Sequence, residues 1–216
     1  SGVKEGRLAR RFAAVCGGSY AAHGLASRLN ELAPAEAFLW DDPLLNMCAA
    51  AATQSSAWRP ERLSRKYEEL ARALATHAQD RSAGDLRHAG LVARTLAAKI
   101  GLAARLLAAY RRRDRRALAA VRREIPAVRR QLGALHDSWR TLWLSRNKPF
   151  GLEVLQIRLG ALDARYGELQ RRLGEYLSGR IESIAELAEQ DFRIPKGDWM
   201  PNHYRGWHRA ATAMGG

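Results

Sequence analysis

The side chains that could do chemistry in this chain are scattered. Six histidines stand at positions 23, 77, 88, 136, 203 and 208. None has the i, i+4 histidine and nearby acid that would set two imidazoles around zinc on one helix face. His77 and His136 fall at or beside apolar seam positions, which suits hydrogen-bonded histidines at the edge of a core. Asp41-Asp42 precedes Pro43 and reads as a helix cap, while the neighbours Glu68-Glu69 point about 100° apart on a helix. Neither makes an acid/base pair. Ser19 and Ser27 lack the tight turn of a nucleophile elbow, and neither Cys16 nor Cys48 lies in a cysteine-protease motif. The two cysteines sit in apolar surroundings and are expected as buried thiols rather than a disulfide. No self-contained active site is visible in the sequence, and no metal or cofactor is expected.

The most regular charged feature is an arginine pair repeated every seven residues: Arg115-Arg116, Arg122-Arg123 and Arg129-Arg130, preceded by Arg111 to Arg113. This spacing stacks the pairs on one helix face as a basic stripe that could track phosphates. The plainer reading is a solvated helix face. The formal charge is +14, yet 31 of the 36 basic residues are arginine and every helix pattern carries some. Such dispersal points to compositional habit more than to a polyanion task.

Four long apolar seams must position whatever the chain presents. After Pro60 come Leu63, Tyr67, Leu70 and Leu74, with His77 in phase; after the turn at 80–84 come Leu86, Ala89, Ala93, Leu96, Ile100, Ala103, Leu107 and Tyr110. Asp114 is placed to cap a third helix carrying Leu118, Val121, Ile125, Val128, Leu132, Leu135, Trp139 and Leu142, with a kink or break expected near Glu124 because Pro126 removes a backbone donor. The fourth runs Leu152, Leu155, Leu159, Leu162, Tyr166, Leu169, Leu173 and Tyr176 and ends at Ser178-Gly179. Alternation by three and four joined by short links predicts an all-α fold, an antiparallel bundle of about four long helices.

Residues 1–58 read as a lobe of short helices packed on the bundle, 59–190 as the bundle, and 191–216 as an irregular tail with Trp199, Tyr204 and Trp207. Within the lobe, Gly17-Gly18-Ser19 separates two modest helices, 34–43 is irregular, and a helix capped by Asp42 with Pro43 in its first turn carries Leu44, Leu45, Met47 and Cys48. Near 184–189 a further short helix is expected. The sequence has no run of about 18 apolar residues and no charged-then-apolar leader, so the expectation is a cytoplasmic chain without a membrane role. It opens Ser-Gly instead of Met, as a fragment would.

One stretch departs from generic helix: residues 147–160, Asn-Lys-Pro-Phe-Gly-Leu-Glu-Val-Leu-Gln-Ile-Arg-Leu-Gly. Pro149 can open a helix that Phe150 staples, and Glu153 sits where the helix dipole favours a carboxylate. Helix physics does not dictate the rest of the order. With Trp143 upstream, this stretch resembles the C-terminal helical region of bacterial glycoside hydrolase family 20 enzymes, the β-N-acetylhexosaminidases. Asp41 to Leu45, Lys99 to Tyr110, His136-Asp137 and Tyr204 to Met214 look like further parts of the same region.

The family's catalysis belongs to a (β/α)₈ barrel whose Asp-Glu pair works with the substrate's acetamido group. This chain has neither the alternating strands nor the length for that barrel, so no catalytic residue transfers. The resemblance implies a noncatalytic accessory domain whose partner is the catalytic barrel, with cleft shaping or an oligomer contact as further roles. Trp139, Trp143, Asn147, Lys148, Glu153 and Arg158 are the expected docking residues. Trp139 and Trp143, four apart, also suit core packing. The rival class is a free-standing module binding nucleic acid through Arg115, Arg116, Arg122, Arg123, Arg129 and Arg130, and a third is carbohydrate binding by aromatics including Trp199 and Trp207.

Overall fold

The computed structural model describes residues 2–53, 59–77, 79–80 and 82–188. Among these, every regular element is a helix: α1 (Gly2–Cys16), α2 (Tyr20–Leu32), α3 (Ala35–Trp40), α4 (Met47–Thr53), α5 (Pro60–Ala75), α6 (Ala83–Arg111), α7 (Arg115–Arg146), α8 (Leu152–Ser178) and α9 (Ala185–Ala188). The protein is all-α. The aromatic tail, with Trp199 and Trp207, lies outside the described residues.

The long helices pack in chain order, α5 on α6, α6 on α7 and α7 on α8. Their seams supply the core: Tyr67, Leu96, Ile100, Leu118, Ile125, Leu135, Leu169 and Leu173 are almost fully removed from solvent. Burying such side chains stabilises the fold by about 1.5–3 kcal/mol each. α6 is central, because α2, α3 and α4 also rest on it while α2 reaches α5. The early helices therefore cover a flank of the long ones and share their core. Ser64 Oγ donates to the Ala97 carbonyl at 2.8 Å where Gly101 lets α5 and α6 approach closely.

Local chemistry sets the ends. Asp114 accepts from Ala117 N at 2.9 Å to cap α7, and Gly179 closes α8 in the left-handed region at φ 76°. Ser19 caps α2, while its own N–H donates to Asp80 Oδ2 at 3.0 Å, tying α2 to the turn before α6.

Several expectations change. α7 runs through Pro126 without a break, because buried Val121 and Ile125 before it and Val128 and Leu132 after it hold both halves on one core. The segment read as irregular contains α3, which buries Ala35, Ala37, Phe38 and Leu39 in a helix too short for periodicity to reveal. Asp42 does cap, accepting from Leu44 N and Leu45 N at 2.8 and 3.0 Å, but the turn stops at Asn46, whose φ is 48°. α4 then starts at Met47 and takes its cap from Asp41, whose Oδ2 accepts from Cys48 N and Ala49 N at 3.1 Å each. Residues 149–151 form a turn instead of the start of α8, and Phe150 is 83 % exposed, so it staples nothing. Cys48 is buried and Cys16 exposed, both as free thiols; the end of α1 lacks the cover its neighbouring sequence suggested.

Candidate functional site

The turn from α7 into α8 is held by its own backbone and two side chains. Asn147 ends α7, with its N–H donating to the Trp143 carbonyl at 2.8 Å, and Trp143 Nε1 donates to the Lys148 carbonyl at 2.9 Å. Gly151 then takes φ 93°, where a side chain would be strained, and a Cβ there would stand 3.0 Å from Trp143 Cζ2. Glu153 accepts from Gly151 N at 2.7 Å, which satisfies a donor at the mouth of α8. Trp143 and Glu153 are thus bound into the turn, while Asn147 and Lys148 lie on its exposed outside.

Trp139 and Arg158 are spent on α3. The Trp139 ring stacks on Trp40 at 5.9 Å between centroids and 20° between planes, and His88 meets Trp139 edge-to-face at 5.2 Å between centroids. Burial lowers the His88 pKa below its usual value, and its Nδ1 lies 3.0 Å from Ser138 Oγ. Arg158 places its guanidinium carbon 5.4 Å from the centre of Trp40. The ladder from Arg158 through Trp40 and Trp139 to His88 joins α8, α3, α7 and α6.

Of the expected docking residues, Trp139 and Arg158 thus contact α3, Trp143 and Glu153 bond within the turn, and Asn147 and Lys148 are exposed. The junction instead exposes apolar surface: Leu144 is 40 %, Phe150 83 %, Val154 49 % and Ile157 55 % accessible. Val154 and Ile157 are three apart on α8 and stand outside its buried seam. That second apolar phase is the sequence signal for this surface, and the polar residues between its members interrupt it.

A second constellation, of which the sequence shows only the cap, lies around Asp41 and Asp42. Arg165 of α8 grips Asp42 with Nε on Oδ2 and Nη2 on Oδ1. The Lys99 ammonium, 4 % exposed as a residue, donates to the Asp41 carbonyl at 2.9 Å and lies 5.0 Å from the centre of the Tyr166 ring. Burial, opposed by Lys99, pushes the Asp41 carboxyl up to about 6. Burial, opposed by Asp41 and Asp42, brings the Lys99 ammonium down to about 8. A cavity of about 10 Å³ beside Asp41, Asn46, Lys99 and Tyr166 has room for about one water and for no substrate. These groups fasten the loop between α3 and α4 to α6 and α8.

The arginine stripe divides in two. Arg115 donates to the Tyr176 and Leu177 carbonyls, Arg122 Nε to the Gln170 carbonyl at 3.1 Å, and Arg129 makes a two-point contact with Asp163, both distances 2.7 Å. Gly174 and Gly167, seven apart on α8, give Arg122 and Arg129 room to lie flat. The first arginine of each pair therefore staples α7 to α8, and Arg116, Arg123 and Arg130 remain exposed.

Among the described residues no three His, Cys, Asp or Glu side chains come together as metal ligands, and no helix is long and apolar enough to cross a membrane. Comparison with curated proteins finds no significant match. Residues 23–201 match the family model described as the Glycoside Hydrolase 20C C-terminal domain. That match takes in the capped loop, the four long helices and the α7–α8 turn, and by it the chain belongs to the C-terminal domain family of glycoside hydrolase family 20.

Proposed function

We propose that this chain is a noncatalytic accessory domain that packs on the catalytic barrel of its own enzyme through the outside of the α7–α8 turn. The observation that carries this reading is the apolar set Leu144, Phe150, Val154 and Ile157, exposed beside Asn147 and Lys148 on a turn whose other side chains hold it rigid. A helix junction presenting a large aromatic and three branched aliphatics is suited to seating against another protein surface. The barrel supplies the hydrolytic groups; the domain contributes packing and holds neighbouring barrel loops in place.

The test compares Phe150→Asp and Ile157→Asp in the isolated chain and in the full-length enzyme. Both residues are exposed here, so the isolated chain should melt within a degree or two of wild type, while the full-length enzyme should lose thermal stability or activity. Unchanged behaviour of the full-length enzyme would remove this face as the docking surface. The nucleic-acid alternative is weakened by the attachment of Arg115, Arg122 and Arg129 to α8, which leaves half of the stripe to meet a polyanion.

A further inference from the structure

A groove of about 290 Å³ opens between α2, α3, α7 and α8. Leu29, Leu39, Val92 and Leu155 line it together with the stacked indoles of Trp40 and Trp139. All of these except Leu39 are only half-buried, so the packed helices leave an apolar hollow with a flat aromatic wall.

The chain itself is aimed at this hollow. After α8 ends at Ser178, it turns back along the same helix. Ile184 N–H donates to the Tyr110 hydroxyl at 2.7 Å, and the Tyr110 ring lies 5.6 Å from that of Tyr176. Two residues later, Glu186 Oε2 lies 3.8 Å from Arg172 Nη2 and within electrostatic range of Arg165. Leu187 beside it is buried. The contacts thus climb α8 from Tyr176 through Arg172 toward Arg165, against the direction of that helix. Arg158, Arg165 and Arg172 recur every seven residues and share one face, and Arg158 borders the groove.

Reach selects the residue that can fill it. Leu155 and Arg158 stand seventeen and fourteen positions before Arg172, about 21–26 Å at 1.5 Å per helical residue. From Glu186, two helical residues and then extended chain carry Phe192 at most about 16 Å, Ile194 about 23 Å and Trp199 about 39 Å. Phe192 stops short, Ile194 arrives only fully stretched, and Trp199 arrives with slack. The family match also runs past α9 to residue 201, taking in Trp199 and leaving Trp207 out.

We propose that residues 189–201 continue from α9 along the arginine face of α8 as a strap and seat the Trp199 indole in this groove, against Trp40 and Trp139. Trp199 is then spent inside the domain and is unavailable to carbohydrate. The proposal does not rest on the docking reading, which places the barrel on the outside of the α7–α8 turn.

Methyl-labelled NMR of the full chain tests it. Nuclear Overhauser contacts from the Trp199 indole, assigned by their loss in Trp199→Phe, are expected to the methyls of Leu29, Val92 and Leu155. Trp199→Ala should lower the melting temperature by about 5 °C or more, as loss of a buried indole does in a chain of this size. Absence of these contacts, contacts from Phe192 or Trp207 in their place, or an unchanged melting temperature in Trp199→Ala would each overturn the assignment. Contacts seen only between labelled and unlabelled copies would give the groove to a second chain and overturn it as well. In the full-length enzyme the Trp199→Ala shift should persist; its disappearance there would give the groove to the barrel. Each of these failures leaves the Phe150 and Ile157 test of the docking face unaffected.

Discussion

At the scale of single residues, the loop between α3 and α4 gathers buried charges of the described residues, Asp41, Asp42 and Lys99. Lys99 and Asp41 are each kept from their ordinary ionisation by burial and returned toward it by the other. A carboxyl whose folded pKa of about 6 exceeds its ordinary 3.8 contributes most to stability below 3.8 and less as pH rises to 6. An ammonium whose folded pKa of about 8 lies below its ordinary 10.5 contributes more as pH rises from 8 to 10.5. Replacing Lys99 with Met should therefore remove the gain above pH 8 and extend the Asp41 loss toward neutrality. Urea unfolding of both proteins from pH 4 to 10 measures the two slopes, and identical profiles would refute the coupling. The net cost at pH 7 should be about 3 kcal/mol, as expected when one partner of a buried charged pair is removed.

The thiols make a separate residue-scale test. Cys48 is buried, donates to the Ala37 carbonyl at 3.4 Å, and has its pKa raised by burial and by nearby Asp41, so it should resist a thiol reagent until the fold opens. Cys16 is exposed and should react at once. Two thiols titrating at the same rate in native buffer would contradict this placement.

At the scale of elements, α8 shows how one residue type serves opposite ends. Gly151 is required by its positive φ and by Trp143 against it, so Gly151→Ala should destabilise the chain by about 1–3 kcal/mol. Gly160 lies inside the same helix on an exposed face with nothing near its missing Cβ, and Gly160→Ala should stabilise by up to about 1 kcal/mol. Opposite shifts in denaturation midpoint are expected, and a shift of the same sign in both would show that the turn is not strained as described. The α7–α8 contact is also built element by element: Leu159, Leu162, Leu169 and Leu173 supply burial, and the three arginines fix register through carbonyls and Asp163. Arg129→Ala should cost only about 1 kcal/mol, because its pair with Asp163 is about two-fifths exposed and screened.

At the scale of the whole molecule, burial falls off from α6 outward. α6 buries residues along its length, from Leu86 through Leu96 and Leu102 to Ala109. α1 rests on α2, with Phe12 against Tyr20 and His23, and exposes Leu8 and Val15. Native-state hydrogen exchange should follow this gradient, slowest in the middle of α6 and fastest in α1. Equal protection of the two would show that α1 belongs to the cooperative core. The end of the bundle near Ile184 is drawn in by Tyr110, whose hydroxyl receives the Ile184 N–H at 2.7 Å.

The sequence by itself determined the all-α class, the four long helices and most of their buried faces, because a 3.6-residue repeat sustained over many turns leaves one apolar stripe that must be covered. It also determined the caps at Asp42, Asp114 and Gly179, since these depend on residues adjacent in the chain. The resemblance carried by residues 147–160 likewise required no coordinates. What only the tertiary structure decided is which side chains remain free once the helices have packed. Asp41 and Lys99 are 58 residues apart, and Arg165 and Asp42 are 123 apart. No local period links them. Trp139 and Arg158 looked available for docking until α3, itself too short to announce a phase, placed Trp40 between them. Phe150, read as a staple, stayed in solvent because a left-handed glycine turned the chain before α8 could begin. Short-range physics shapes each helix, whereas exposure is a property of the assembled surface, and the apolar side chains left uncovered at the α7–α8 junction can be read only there.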